Sequence, residues 1–310
     1  KSTKIGIIAL AVVYNLPLLA PSYILLCGSL FTIGVFSAFT DVSLNALTAT
    51  IEKREQQNFM SAAHGFFSLG GFVGASVGTF YMSQYSNPQI HILAISTFVI
   101  VSNLFLAKNY VTILVDEKKE DKTKGSFFKN IKPLLALSII AFIILFNEGA
   151  VEHWSNLYLF DVVKVTNGKA GLGFVIFSLT MTLGRFLGDG FSKQLGSRKT
   201  ILFASLVAVF AYASIITTNY YASLFGFGLL GFGLSVIIPE IYRLAGKNEK
   251  LETSFAISIV SGIGFVGFLV GPVILGAISN FSNLVMSYVF LAVLTSIAFG
   301  LALFGLRKNN

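Results

Sequence analysis

Polar residues in this chain are bunched, and the apolar residues between them run on without the alternation of a half-buried strand. The apolar runs are roughly 18–25 residues long, which is the length an α-helix needs to cross a hydrocarbon layer. A transmembrane β-barrel would instead show segments of about ten residues with alternating polarity. Ten runs can be drawn: 5–20, 22–48, 58–84, 89–108, 133–157, 170–189, 200–217, 220–244, 253–279 and 283–306. The first two are broken at Pro17 and Pro21, and Pro239 should kink the eighth by removing a backbone donor. A polar, Lys-rich stretch, 109–131, follows the fourth run. The pattern therefore predicts an all-α polytopic membrane protein built as two bundles. The N-terminal bundle covers 1–108 with four spans, 109–131 is a linker, and the C-terminal bundle covers 132–310 with six.

Composition sharpens this picture. Of 310 residues, 55% are hydrophobic and only 12% charged, where a soluble domain carries about 25% charged residues. So little charge cannot cover a water-facing surface, which argues against a soluble globular enzyme. So apolar a chain would also collapse rather than stay disordered. The single Cys27 lies inside an apolar run, which excludes a disulfide framework and a cysteine-rich metal site. The three His and one Cys show no metal-ligand spacing. No Gly-Lys-Ser/Thr follows a spaced Gly, and Gly262-x-Gly264 lies within an apolar run, so neither a Walker loop nor a dinucleotide site is read. No metal and no cofactor are expected, and the chain is read as not an enzyme.

The net charge of +8 needs no nucleic acid to explain it. If the N-terminus is cytoplasmic, all but two of the 22 basic residues fall on the cytoplasmic side or near it, the two being Lys164 and Lys169. The positive-inside rule then puts both termini in the cytoplasm, in an inner (plasma) membrane, with an even number of spans. The charged run Asp116–Lys124 reads as a solvated loop joining the bundles, with lipid-headgroup contact as the alternative.

The two halves repeat one another. Gly71-Phe72-Val73-Gly74 and Gly78 match Gly264-Phe265-Val266-Gly267 and Gly271. Gly34 and Asp41 match Gly233 and Glu240, and each pair precedes a short charged loop, Glu52–Gln56 or Lys247–Glu252. Lys1-Ser2-Thr3-Lys4 lines up with Gly196-Ser197-Arg198-Lys199. The runs at 133–157 and 170–189 then have no counterpart in the first half. Together with a start at Lys1 rather than Met, this reads as a missing N-terminal segment. Repeated halves joined by a central loop point to a transporter with its site between them. Small residues every fourth position let helix backbones approach closely in lipid.

Gly184-Arg185-Phe186-Leu187-Gly188-Asp189, followed by Gly196-Ser197-Arg198-Lys199, resembles the inner-loop signature of the major facilitator superfamily. Gly190 stands where that signature usually has Arg, and the stretch to Gly196 is longer than the minimal pattern. Asp41-Val42-Ser43-Leu44-Asn45 with Met60-Ser61-Ala62-Ala63-His64-Gly65 is similar to the MosC/YbjJ-like branch of that superfamily. So is Glu148-Gly149-Ala150-Val151-Glu152-His153-Trp154-Ser155 with Leu157-Tyr158-Leu159. The resemblance covers nearly the whole chain. It implies a twelve-span fold of which spans three to twelve are present, working by alternating access, and hints at inositol-like solutes.

Ionisable residues at membrane depth are costly and persist where they face a polar cavity or a partner. Asp41 and Asn45 share one helix face by their i, i+4 spacing, as do Glu148 and Glu152. Asp41, His64, Glu148 and Glu152 are candidates for proton coupling, the first two weighed against a structural hydrogen bond and the last two against an outer-end position wetted by the headgroup region. Asn45, Trp154 and Asn156 are candidates for the solute, although Trp154 reads equally as an interfacial anchor. Arg185, Asp189, Arg198 and Lys199 read as the inner gate that the resemblance implies, with a plain membrane anchor as the other reading for the last two. Glu240 and Arg243 read as a gate salt bridge. The sequence therefore predicts a proton-coupled secondary transporter, a symporter, for a small polar solute such as a sugar, a polyol or an inositol. Its partners are that solute, protons and the lipid bilayer, with no nucleic acid, and it acts as a monomer. A drug exporter is the alternative within transport, and a membrane scaffold or inactive fragment the alternative outside it.

Overall fold

The computed structural model describes residues 1–85, 87–113, 134–165, 167–248 and 251–306. Most of the expected linker, 109–131, lies outside these residues, as do Lys250, Arg307 and Lys308. The described chain is helical, with no strand. We number its main helices α1 (Ser2–Val13), α2 (Tyr23–Glu55), α3 (Met60–Gln84), α4 (Pro88–Leu106), α5 (Leu135–Leu157) and α6 (Leu172–Leu195). The remainder are α7 (Ser197–Ile216), α8 (Tyr220–Ser235), α9 (Ile237–Gly246), α10 (Thr253–Phe281) and α11 (Leu284–Gly305).

Local chemistry sets many of these ends. Ser22, Asn87, Asn219 and Asn283 each cap the helix that follows them, accepting from backbone N–H groups that have no partner of their own. Pro88, in the first turn of α4, loses nothing by lacking an N–H there. Gly196 joins α6 to α7 at φ 79°, a left-handed conformation that favours glycine. Between α1 and α2 the chain breaks into a short 3₁₀ turn, Pro17–Leu19, at the prolines that mark the break in the sequence. The expected kink in the eighth span falls at Val236, between α8 and α9. Pro239 has no N–H to offer the Ser235 carbonyl, so the helix parts one turn before it.

Nine stretches of the described residues are long and apolar enough to cross a membrane, counting α8 and α9 as one. Helix α3 completes the expected ten by its length of 25 residues, but its many Gly and Ser, with His64 and Gln84, keep it outside that apolar set.

The densest packing is in the C-terminal half, where α10 lies against α5 almost backbone to backbone. A Cβ on Gly271 would come within 2.6 Å of the Phe146 carbonyl oxygen, and one on Gly267 would collide with that of Phe142. From the other side, a Cβ on Gly149 would meet the Phe268 carbonyl at 2.5 Å. The matching glycines of the first half behave differently. Cβ atoms on Gly71 and Gly74 would meet nothing within 4 Å among the described residues, and one on Gly78 would meet Nε2 of His91 at 3.3 Å. Among the described residues the repeat in sequence is therefore packed tightly on α10, against α5, and loosely on α3. The halves meet where α3 packs on α6 and where α2 packs on α9 and α10.

This contrast predicts opposite outcomes for one substitution. Gly267→Ala should cost about 1–3 kcal/mol of stability by overpacking against a carbonyl that cannot yield. Gly74→Ala should be neutral or slightly stabilising. Thermal unfolding of the purified protein in detergent would show the difference; equal effects would contradict the packing described.

Candidate functional site

Two groups of polar side chains lie where the halves meet. The first is at the end rich in Lys and Arg. Arg243 of α9 is 1% exposed and is surrounded by carboxylates from three helices. Its Nε donates to Glu52 of α2 at 2.8 Å, and its Nη2 donates to Glu52 and to Asp189 of α6 at 2.8 and 2.6 Å. Its Nη1 donates to Ser192 at 2.9 Å and to Glu240, one turn back on α9. Ser192 in turn donates to the second Glu240 oxygen at 2.9 Å.

Glu52 and Asp189 do more than neutralise Arg243. The start of α3 has four consecutive amides and no side-chain cap of its own. The amides of Phe59 and Met60 donate to Glu52 at 2.6 and 2.7 Å. Those of Ser61 and Ala62 donate to Asp189 at 3.1 and 2.8 Å. Two carboxylates thus satisfy the helix start, where the macrodipole also favours negative charge. Asp189 reaches α3 because the helices touch closely. A Cβ on Gly188 would collide with Ser61 and lie 2.6 Å from Val236. One turn earlier, a Cβ on Gly184 would lie 2.8 Å from the Ser235 Cβ. Beside the cluster is a cavity of about 140 Å³, with Lys53, Asn58 and Lys247 in its wall.

The second group lies deeper. The Asn45 amide donates to Asp41 at 3.0 Å, and the Asn45 oxygen faces Nε2 of His64 at 3.2 Å. With the amide so placed, His64 carries its proton on Nε2. One turn on, Ser68 accepts from Nη1 of Arg185. Arg185 also pairs with Glu148 of α5 at 3.4 Å. The rings of His64 and Tyr242 stand 5.8 Å apart. Asp41 Oδ2 and Arg185 Nε are buried and have no hydrogen-bond partner among the described residues. Residues of α2 and α3 therefore face residues of α5, α6 and α9 across the junction. Along α6 the two groups are one turn apart, about 6 Å between Arg185 and Asp189.

Asp41 and Asn45 share a helix face as their spacing predicts, and His64, whose distance the sequence does not give, meets Asn45, which stands between the acid and the histidine. Glu148 joins this group through Arg185, which belongs here rather than with the gate cluster expected for it. Asp189, Glu240 and Arg243 do come together in the cluster. Arg198 and Lys199 do not join it: Arg198 donates to the Leu303 carbonyl at 2.8 Å, in the last turn of α11, and Lys199 is exposed. Trp154 is partly buried against α10. Its indole N–H donates to the Pro272 carbonyl at 3.0 Å and its ring lies against Gly276. Glu152 and Asn156 are exposed at the far end of α5. Asn147, from the same polar stretch, points into the bundle, where Tyr212 and Thr295 donate to it.

The sequence reading missed Glu52, Ser192, Ser68 and Tyr242. Glu52 sits in a run, Glu52-Lys53-Arg54-Glu55, that looks like a solvated loop. A signal was present, since positions 41, 45 and 52 follow one helical stripe. It is visible only once α2 is known to continue to Glu55.

The family model for the Major Facilitator Superfamily matches residues 3–166 and 137–310. An uncharacterized MFS-type transporter of Yersinia pestis is 30% identical over 267 residues, covering 86% of this chain and 68% of the relative. Membrane protein MosC of Rhizobium meliloti is 28% identical over 275 residues, covering 88% of this chain and 66% of that protein. The chain thus spans about two thirds of the length of these relatives. Among solved structures, the E. coli fucose:proton symporter FucP superposes with a TM-score of 0.76 at 18% identity, covering 99% of this chain and 85% of the other.

Removing the cation from the cluster should be severe. Arg243→Met leaves three buried carboxylates facing one another, and breaking a buried pair costs about 3–5 kcal/mol. Arg243→Lys should recover only part of this, because one ammonium cannot span four acceptors. Yield of monodisperse protein and its melting temperature would check both; a Met variant as stable as the parent would contradict the geometry.

Proposed function

This chain belongs to the major facilitator superfamily, and from that premise we propose that it moves a small polar solute across a membrane by alternating access, driven by protons. The observation that carries this reading is the pairing of the two polar groups. One clamps the halves together at a single end, and the other places side chains of both halves face to face behind that clamp.

The cluster around Arg243 serves as the gate. Glu52 and the α3 amides belong to the first half, and Asp189, Glu240 and Arg243 to the second. Opening this end requires the Glu52–Arg243 pair and the Asp189 bonds to α3 to break. They form the two-state element that alternating access requires. The reading puts the gate on the cytoplasmic side of an inner membrane, supported by the basic residues around it and the positive-inside rule.

The deeper group receives the solute. Holding Asp41, Glu148 and Arg185 at membrane depth costs at least about 2.5–3.5 kcal/mol for each charge at a helix centre, which a scaffold would have no reason to bear. Asp41 and Glu148 are the carboxylates placed to take up and release a proton during the cycle, with His64 beside them. The hydroxyl-rich solute class, a sugar, polyol or inositol, rests on this donor and acceptor set. That a protein of the same fold is described as a fucose:proton symporter agrees with it. The drug-exporter reading draws on the 31 Phe. Many of these lie on the outside of the bundles, such as Phe31, Phe67 and Phe98 at 76%, 79% and 70% exposure, which favours the polar reading.

In proteoliposomes, a panel of fucose, galactose and myo-inositol should reveal one solute that moves protons, with Asp41→Asn and Glu148→Gln lowering the flux about tenfold or more. Flux with lipophilic cations alone would establish the drug-exporter reading, and silence with both would favour a scaffold or an inactive fragment. Asp189→Asn should slow transport while leaving solute binding largely intact. Equal loss of both would refute a purely gating role.

A further inference from the structure

The charges of the central group do not balance. Arg185 is matched by Glu148 at 3.4 Å, and its Nη1 is held by Ser68. Its charge is therefore already engaged. The other buried guanidinium nearby, Arg243, is enclosed by Glu52, Asp189 and Glu240. Asp41 accepts only from the neutral amide of Asn45, and among the described residues no cation pairs with it. His64 spends its Nε2 on Asn45. The remaining wall groups, Ser68 and Tyr242, are neutral. The group is acidic overall, in surroundings that screen charge poorly.

The two unpartnered atoms add a chemical constraint. As a carboxylate, Asp41 Oδ2 can only accept a hydrogen bond, and Arg185 Nε can only donate one. A hydroxyl can serve either, because it both donates and accepts. An ammonium can serve Asp41. An ionised carboxylate has no proton for Asp41, and a carboxylate or a phosphate alike would bring a negative charge to an acid that has no counter-ion among the described residues.

We propose that the central site selects its solute by charge, admitting hydroxylated molecules that are neutral or positively charged and rejecting anionic ones. This rests on the transport reading but is separately testable, because the potential inside the site can be read without any flux. Thiol-specific reagents of one size and different charge are the probes. The parent carries Cys27→Ser, and Ser68→Cys places one thiol among the central groups. Thr48→Cys, on the Asp41 stripe of α2, is a second reporter should the first fail to fold. The probes are the trimethylammonio-ethyl, sulfonato-ethyl and methyl methanethiosulfonates.

After normalising to their rates with a free thiol, the cationic reagent should modify the reporter about tenfold faster than the anionic one, the kind of enrichment a charged cleft produces. Asp41→Asn should narrow the ratio. Glu148→Gln should narrow it comparably, because it too removes one negative charge. Equal rates, or a faster anionic reagent, would overturn the proposal. So would failure of even the neutral reagent from both sides, since no aqueous site would then be present to select anything. A protein that shows the rate preference but transports nothing would count against transport and not against charge selection.

Discussion

Everything at the basic end follows from burying one guanidinium. Arg243 at 1% exposure would be prohibitive without near-complete satisfaction of its donors. Five hydrogen-bonding groups are spread around a planar fork, and no single helix can reach them all. The acceptors therefore come from α2, α6 and α9 together. That requirement fixes where three helices end and how closely two of them approach. It also explains why α3 starts where it does, since the carboxylates that hold Arg243 also take the amides at its start. The acid surplus around a single cation is offset by those four amides and the dipole behind them. Each of the two halves thus contributes to the neutralisation of the other.

Close helix contact is the second constraint, and it explains the glycines of the inner-loop signature. Gly184 and Gly188 provide the clearance that lets α8 and α3 approach α6, and Gly196 supplies the left-handed turn into α7. On α10, Gly267 and Gly271 bring the backbone onto α5, and Pro272 leaves the Phe268 carbonyl without an intrahelical donor just where Gly149 arrives. On the corresponding stripe of α3, Gly71 and Gly74 meet nothing within 4 Å among the described residues, while Gly78 faces His91. The same sequence pattern thus reports a helix's capacity to be packed, while the partner decides whether packing occurs.

Most of the fold was legible because hydrophobic run length is a one-dimensional signal. Spans, their number, the break near Pro239 and the two-half organisation all follow from it. The gate cluster was partly legible: Asp189, Glu240 and Arg243 stood out as charges in apolar surroundings. Glu52 was hidden because four charged residues in a row look the same in a loop and in a final helical turn. Arg198 misled for the opposite reason. Its place in the signature fits the gate, but the end of α11, which sequence cannot place in space, offers it the Leu303 carbonyl. Trp154 was ambiguous between lipid interface and solute, and its real partner, a backbone carbonyl on α10, leaves no mark in composition. Pairwise distances across helices are what the sequence withholds, and the functional groups here are all cross-helix groups.

The two polar groups share their scaffolding, which bears on how one would inform the other. Helix α6 carries both Arg185 and Asp189, α2 carries both Asp41 and Glu52, and α9 carries both Tyr242 and Arg243. Each helix is a rigid rod over such distances, about 16 Å from Asp41 to Glu52. On the proposed reading, a change in what the central group binds would act on the same rods that hold the cluster at the basic end. The break at Val236 matters here. It separates α9, ten residues long, from the axis of α8, so that Tyr242 and Arg243 stand on a segment with its own direction, packed against α7 and α10. A solute that satisfies Asp41 and Arg185 removes two unpartnered polar atoms from the junction and lowers the energy of the arrangement in which both halves touch it. The clamp at the basic end is then no longer the only polar contact that holds the halves together. Coupling between centre and gate needs no longer pathway than one turn of α6 and the length of α9.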